Sequence, residues 1–240
     1  MRGCMKRGFV LSLFCVSIGM IAAAEPPAPE AGERELSAEE SEKTLRAMGE
    51  AFKAHPYVRA IIKAEVEDLA GKRVEEGELL LERPARMLRK FTKPAAKAWL
   101  LDGAQISEYA PTQKTIFVKD FSNAPKALAR IQAAMTGDIK ALEPLFAMHI
   151  FLKPGGEGKS SLLRVVLDKK TGASRRLHKR IQARIVEGGL FFDEIHYVPD
   201  EGDEVTERFS EIKEIAKPSD ADFALPNEWI ERKVEKIEEN

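Results

Sequence analysis

Residues 77–103, GELLLERPARMLRKFTKPAAKAWLLDG, restrict the chain more than any other stretch, because they read as three short strands with corners at fixed places. Strands at 78–83, 87–92 and 96–101 are separated by Arg83-Pro84 and Lys93-Pro94, and Asp102-Gly103 follows the third. Proline offers no ladder donor and so marks strand ends, while Asp-Gly favours the primed turns that join antiparallel neighbours. The segment predicts an antiparallel meander.

Further strands are predicted at 58–69, 105–109, 115–121, 161–167, 174–185, 190–198 and 206–216. Three helices interrupt them. Ser37 with Glu40 forms a capping box that opens a helix carrying Leu45, Met48 and Phe52 and ending near His55-Pro56. A second starts with Asn123 as cap and Pro125 in its first turn, with Leu128, Ile131 and Met135 at helical spacing. A third is predicted at 138–149, with Ile139, Leu142 and Phe146 on one side and a bend at Pro144. The fold class expected is α+β, a single strongly curved antiparallel sheet of about 10–11 strands, an unclosed β-barrel covered by three helices.

The N-terminus reads as an export signal. Arg2, Lys6 and Arg7 precede an apolar run at 8–21, and Ala22-Ala23-Ala24 supplies a cleavage site after Ala24. That run is shorter than the ~20 residues that span a bilayer. The expected divisions are a signal peptide at 1–24, a flexible leader at 25–36, the main domain at 37–226 and an amphipathic C-terminal helix at 227–240 carrying Ile230, Val234 and Ile237. Both cysteines, Cys4 and Cys15, lie in the signal, so the mature chain holds no disulfide framework. Removing the three basic residues lowers the formal net charge of −1 by three, to −4. With both signs mixed along the chain, no nucleic-acid partner is implied.

Reactive chemistry is sparse. Gly155 to Ser160 has the glycines of a phosphate loop but Lys153 where its first glycine belongs, and is read as a flexible link from the last helix to the sheet. His55, His149, His178 and His196 are scattered without zinc spacing, and no nucleophile elbow occurs. The acidic residues 200–204 read as a solvated turn and the basic residues 175–180 as a solvated edge strand. No metal, cofactor or catalytic residue is implied, and the chain is not expected to be an enzyme. A cell-envelope hydrolase remains a lesser alternative, which clustered carboxylates in a polar pocket would favour.

The order G-x-L-x-x-x-R-P, K-P and L-x-D-G over residues 77–103, with Phe223-Ala224-Leu225-Pro226 near the end, resembles the LolA-type periplasmic lipoprotein carriers. The resemblance implies a lipid-carrier domain at 37–226 whose hollow holds acyl chains of lipoproteins or other lipids. It implies shuttling from inner to outer membrane, soluble in the periplasm, without catalysis and as a monomer. An ABC-type release complex in the inner membrane and an outer-membrane acceptor lipoprotein would be its partners. A lipid-sensing domain of the same shape is the alternative. Arg83, the arginine of R-P, would latch the lid helices. Met87 and Arg89 depart from the aromatic residues that follow R-P in that family, leaving Arg89 either on another strand face or at a lipid headgroup on the rim.

Several strands are apolar on both faces, among them Leu79-Leu80-Leu81, Trp99-Leu100-Leu101 and residues 162–167. Such strands are covered on both sides, or packed on one and line a hollow on the other. For the hollow, the candidate lining from the sheet is Leu79, Leu81, Met87, Phe91, Trp99 and Leu101. Leu128, Ile131, Met135 and Phe146 would line it from the helices.

Overall fold

The computed structural model describes residues 27–110, 112, 114–173, 177–225 and 231–238. The expected signal peptide and Pro226 lie outside them. One 13-stranded sheet organises the described residues, built from two antiparallel meanders. The first runs β2 (Tyr57–Asp68), β3 (Gly71–Glu82), β4 (Arg86–Lys93), β5 (Lys97–Asp102), β6 (Gln105–Ala110) and β7 (Thr115–Asp120). The second runs β8 (Phe146–Lys153), β9 (Leu162–Lys169), β10 (Arg180–Val186), β11 (Glu194–Val198) and β12 (Glu204–Glu214). They join where β12 pairs with β2, so β7 and β8 stand near opposite ends of the sheet. A two-residue β1 (Arg34–Glu35) borders β8, and β13 (Glu231–Lys236) borders β7.

The expected meander forms as read. Pro84 and Pro94 stand in the links between its strands, and Gly103 turns β5 into β6 at φ +57°. That positive φ is cheap for glycine. Because β7 and β8 lie far apart in the strand order, the chain between them has to cross the sheet. That crossing carries α2 (Pro125–Met135) and a 3-10 turn at Ile139–Leu142. With α1 (Ala38–Ala54) it covers one face.

Two helices, not three, do this. The segment 138–149 keeps only the 3-10 turn, and Phe146 begins β8, whose register with β9 gains backbone bonds that a helix bent at Pro144 would lack. The glycine-rich residues 155–160 therefore join two strands. Asn123 does not cap α2: Ala124 holds that position, and the Asn123 amide donates to Glu238 at 2.9 Å. The tail is not a helix where it is described. Residues 231–236 are extended and pair in parallel with β7, an edge whose free backbone groups outweigh a weak amphipathic pattern. Nor is the leader loose: β1 pairs with β8, and buried Arg164 holds Glu33 at 2.5 Å and the Ala28 carbonyl at 3.0 Å. β10 begins at Arg180, and 174–176 lie outside the described residues; it is an inner strand between β9 and β11, with Leu177 and His178 buried just before it.

The concave face is covered, and the outer face is covered in part, leaving Arg59, Ile61 and Lys63 of β2 exposed. The concave face carries the main core, from Phe52 and Met48 of α1 through Ile62, Leu79 and Leu101 to Phe209. On the outer face Leu80, Leu88, Ile116 and Val118 pack beneath Phe223 and Leu225 of the C-terminal segment. The Arg86 guanidinium, 4.3 Å from the Phe223 ring centre and 2.7 Å from Asp220, pins that segment down. This covering accounts for Leu79-Leu80-Leu81, whose alternate residues enter two different cores.

Candidate functional site

The site is a buried arginine where the ends of α1 and α2 meet the sheet. Arg83 follows β3 on the same face as Leu81 and Leu79, and it is only 7% exposed. Its Nε donates to the Met135 carbonyl at 2.8 Å, at the end of α2. One terminal nitrogen donates to the Phe52 carbonyl at 3.2 Å and the His55 carbonyl at 2.6 Å, where α1 ends. The other donates to the Leu190 carbonyl at 2.7 Å, in the loop before β11. Helix C-termini leave carbonyls unpaired and carry partial negative charge, so a guanidinium satisfies them without a carboxylate. The Phe52 ring stacks 4.4 Å from the guanidinium carbon. Burial draws the Arg83 pKa down to about 10, which leaves it a cation at neutral pH.

Sequence reasoning missed the third segment that meets Arg83. A strand is predicted at 190–198, yet β11 starts only at Glu194. Residues 187–193 instead form a loop that turns Phe191 and Phe192 inward, with Phe192 edge-on to Phe52 at 5.5 Å and Phe191 edge-on to Phe209 at 5.0 Å. Gly188-Gly189 before an aromatic pair was the available signal, since Gly188 takes φ +78°.

Of the ten candidate lining residues, nine meet in one apolar cluster. Leu79, Leu81, Phe91, Leu101, Ile131, Met135 and Phe146 are buried in it, and Met87 and Leu128 pack against it. Trp99 stands apart, beside Arg89, whose guanidinium lies 5.4 Å from its ring. Arg89 itself shares the concave face with its cross-strand partners Leu79 and Trp99, only 5% exposed and ion-paired to Glu207, so it is not at the rim. Two concavities lie toward the end of β2 remote from α1 and α2, one of about 20 Å³ beside Arg89 and Glu207 and one of about 200 Å³ beside Glu65 and Lys72. No group of His, Cys, Asp and Glu able to hold a metal occurs among the described residues, nor does any helix long and apolar enough to cross a membrane.

No family model matches the sequence, and no curated protein matches it. Solved structures do. An uncharacterized conserved protein from Thermus thermophilus superposes with a TM-score of 0.51 at 7% identity, covering 82% of this chain and 99% of that one. A LolA superfamily protein from Nitrosomonas europaea gives 0.40 at 9% identity, over 77% of this chain and 97% of that one. An outer membrane lipoprotein-sorting protein domain from Vibrio parahaemolyticus gives 0.41 at 11%, over 76% and 97%. What this chain shares with the Thermus protein is the fold, a large curved sheet whose two edges stay apart.

Proposed function

We propose that this chain is a periplasmic carrier of acyl chains, taking lipoproteins or other lipids from the inner membrane and yielding them at the outer membrane. The observation that carries this reading is Arg83. A single cation, held by carbonyls alone, ties three separate segments over an apolar concave face, and releasing it would free all three without breaking a ladder bond of the sheet.

The energetics suit reversible carriage. A 16-carbon tail is driven from water by about 12 kcal/mol, at ~0.8 kcal/mol per methylene. A rigid empty hollow would have to stay dry between loads, whereas a lid that packs its own Phe52, Ile131 and Met135 into the space keeps the unloaded form covered. Cargo then replaces lid contacts instead of adding to them, so net affinity stays low enough for release. In this reading transfer follows relative affinity, with a release complex as donor, an acceptor lipoprotein as recipient, and no bond made or broken.

The test is mass spectrometry of organic extracts from the protein purified from the periplasm of a two-membrane host. Acyl lipid should accompany it, and more should accompany Arg83→Leu, because a lid without its latch does not re-close to expel cargo. Equal occupancy in both proteins would remove the latch role, and no lipid in either would remove the carrier role.

A further inference from the structure

The concave face ends in charge on the side away from the lid. Glu207 of β12, Glu75 of β3, Arg89 of β4 and Lys97 of β5 all point into it, being paired across strands with Ala64, Leu79, Phe91 and Trp99 of the same face. Arg89 is ion-paired to Glu207, which is 2% exposed, and the Tyr197 hydroxyl stands 3.5 Å from the same carboxylate. Lys97 reaches Glu75 at 2.5 Å, and Arg73 meets Glu75, Asp68 and Asp203. Trp99 pairs with Arg89 at the level of Leu79, and Phe91 pairs with Lys97 one step farther from the lid, so both rings stand within this layer, with the Lys97 nitrogen 4.8 Å from the Phe91 ring centre.

We infer that this layer is a floor which closes the hollow at one end, so that acyl chains enter from the lid side with the methyl end leading and stop at the level of Arg89 and Trp99. The inference rests on the carrier reading. Each cation of the layer already holds a carboxylate, so none is left to draw an anionic headgroup inward. The Arg89 Nε is unpaired, but the cavity beside it, about 20 Å³, has room for a single water and not for a headgroup. Hydrocarbon pressed into the layer would have to part buried ion pairs, which is strongly unfavourable when one partner is left behind. The layer begins where Arg89 and Trp99 stand level with Leu79, four residues from Arg83 or roughly 13 Å at about 3.3 Å per residue. That is close to one leaflet, half of the ~30 Å hydrocarbon core.

The chain has two tryptophans, and Trp229→Phe leaves Trp99 as the only fluorophore of its kind. That variant is loaded with hexadecanoic acid brominated either at its terminal carbon or at the carbon beside the carboxyl, and bound acid is counted by native mass spectrometry. The terminal bromine should quench Trp99 severalfold more than the other. Equal or reversed quenching with acid bound overturns the inference alone. Absence of bound acid overturns the carrier reading and this inference with it. A second variant, Arg89→Met with Glu207→Leu, replaces the ion pair by apolar side chains of similar size, a change that buried pairs tolerate. Across a series of fatty acids its preferred length should move to longer chains, and an unchanged preference counts against the floor. The bromine comparison leaves the floor intact, so it decides the matter even where the double variant does not fold.

Discussion

Replacing Arg83 by leucine tests the latch in energetic terms. A hydrogen bond to a charged group is worth ~1.5–3 kcal/mol, so the four carbonyl bonds at 2.6–3.2 Å contribute at least about 6 kcal/mol in gross. Against them stands the cost of burying the cation. A pKa held at about 10, against an ordinary 12.5, corresponds to about 3 kcal/mol. The closed lid therefore keeps a net advantage of about 3 kcal/mol, and losing it raises the open population about 100-fold. Hydrogen exchange followed by mass spectrometry reads this directly, since amides in α1 and α2 exchange through local opening. Their protection should fall by about two orders of magnitude, while β2 to β5 keep theirs. Arg83→Lys should fall between, because an ammonium has three donors and no planar fork to span carbonyls from three segments. Wild-type protection of both helices in Arg83→Leu would refute the reasoning, for it would mean that apolar packing alone holds the lid.

Two further outcomes follow from other parts of the molecule. His178 is buried beside Lys169 and Asp200, and burial first, then the Lys169 charge, depress its pKa to about 4 from 6.5. The unfolded chain thus binds a proton that the folded chain refuses between pH 6.5 and 4, so this histidine's contribution is complete above pH 6.5 and fades as pH falls. His178→Phe keeps the ring that faces Tyr197 at 5.2 Å and removes the titration, so urea melts at pH 7 and pH 5 should differ by about 2 kcal/mol less than in wild type. Gly77 sits at the register shift between β3 and β4, where an alanine Cβ would overlap the Lys90 carbonyl oxygen and lie 2.7 Å from the Phe91 Cα. Backbone cannot step aside as a side chain can, so Gly77→Ala should cost about 3 kcal/mol in a thermal melt, the upper end of overpacking; an unchanged melting point would show that the shift relaxes freely.

What the sequence disclosed, and what it hid, follows from how local each signal is. The meander from β3 to β6 was legible because proline and glycine write its corners within a few residues, and α1 was legible because Ser37 and Glu40 cap it reciprocally. Arg83 was legible through its place beside Pro84 and its parity with Leu79 and Leu81. The first half of β3 was not, since Lys72 to Glu76 is polar at every position but Val74, and the inward turn of Arg73 and Glu75 depends on partners far along the chain. β8 and β13 were mistaken for helix for a related reason: each is fixed by a neighbouring strand's free backbone, which leaves no periodic trace in its own residues. Arg89 remained ambiguous until Glu207, more than a hundred residues away, appeared on β12 of the same sheet.

The Arg83 bonds bear on what a carrier of this shape must do. Arg83 donates separately to the ends of α1 and α2 and to Leu190, so each segment that leaves gives up its own charged hydrogen bonds. Opening the whole lid costs all of these bonds, and small apolar molecules do not gain enough from entry to drive it. A long acyl chain does, because its gain grows with each methylene while the latch cost is fixed at about 3 kcal/mol, equivalent to only about four methylenes at ~0.8 kcal/mol each. Selectivity for long chains would thus arise from the latch, and a chain-length series on Arg83→Leu should lose its discrimination against the short members while keeping whatever upper limit the charged layer sets.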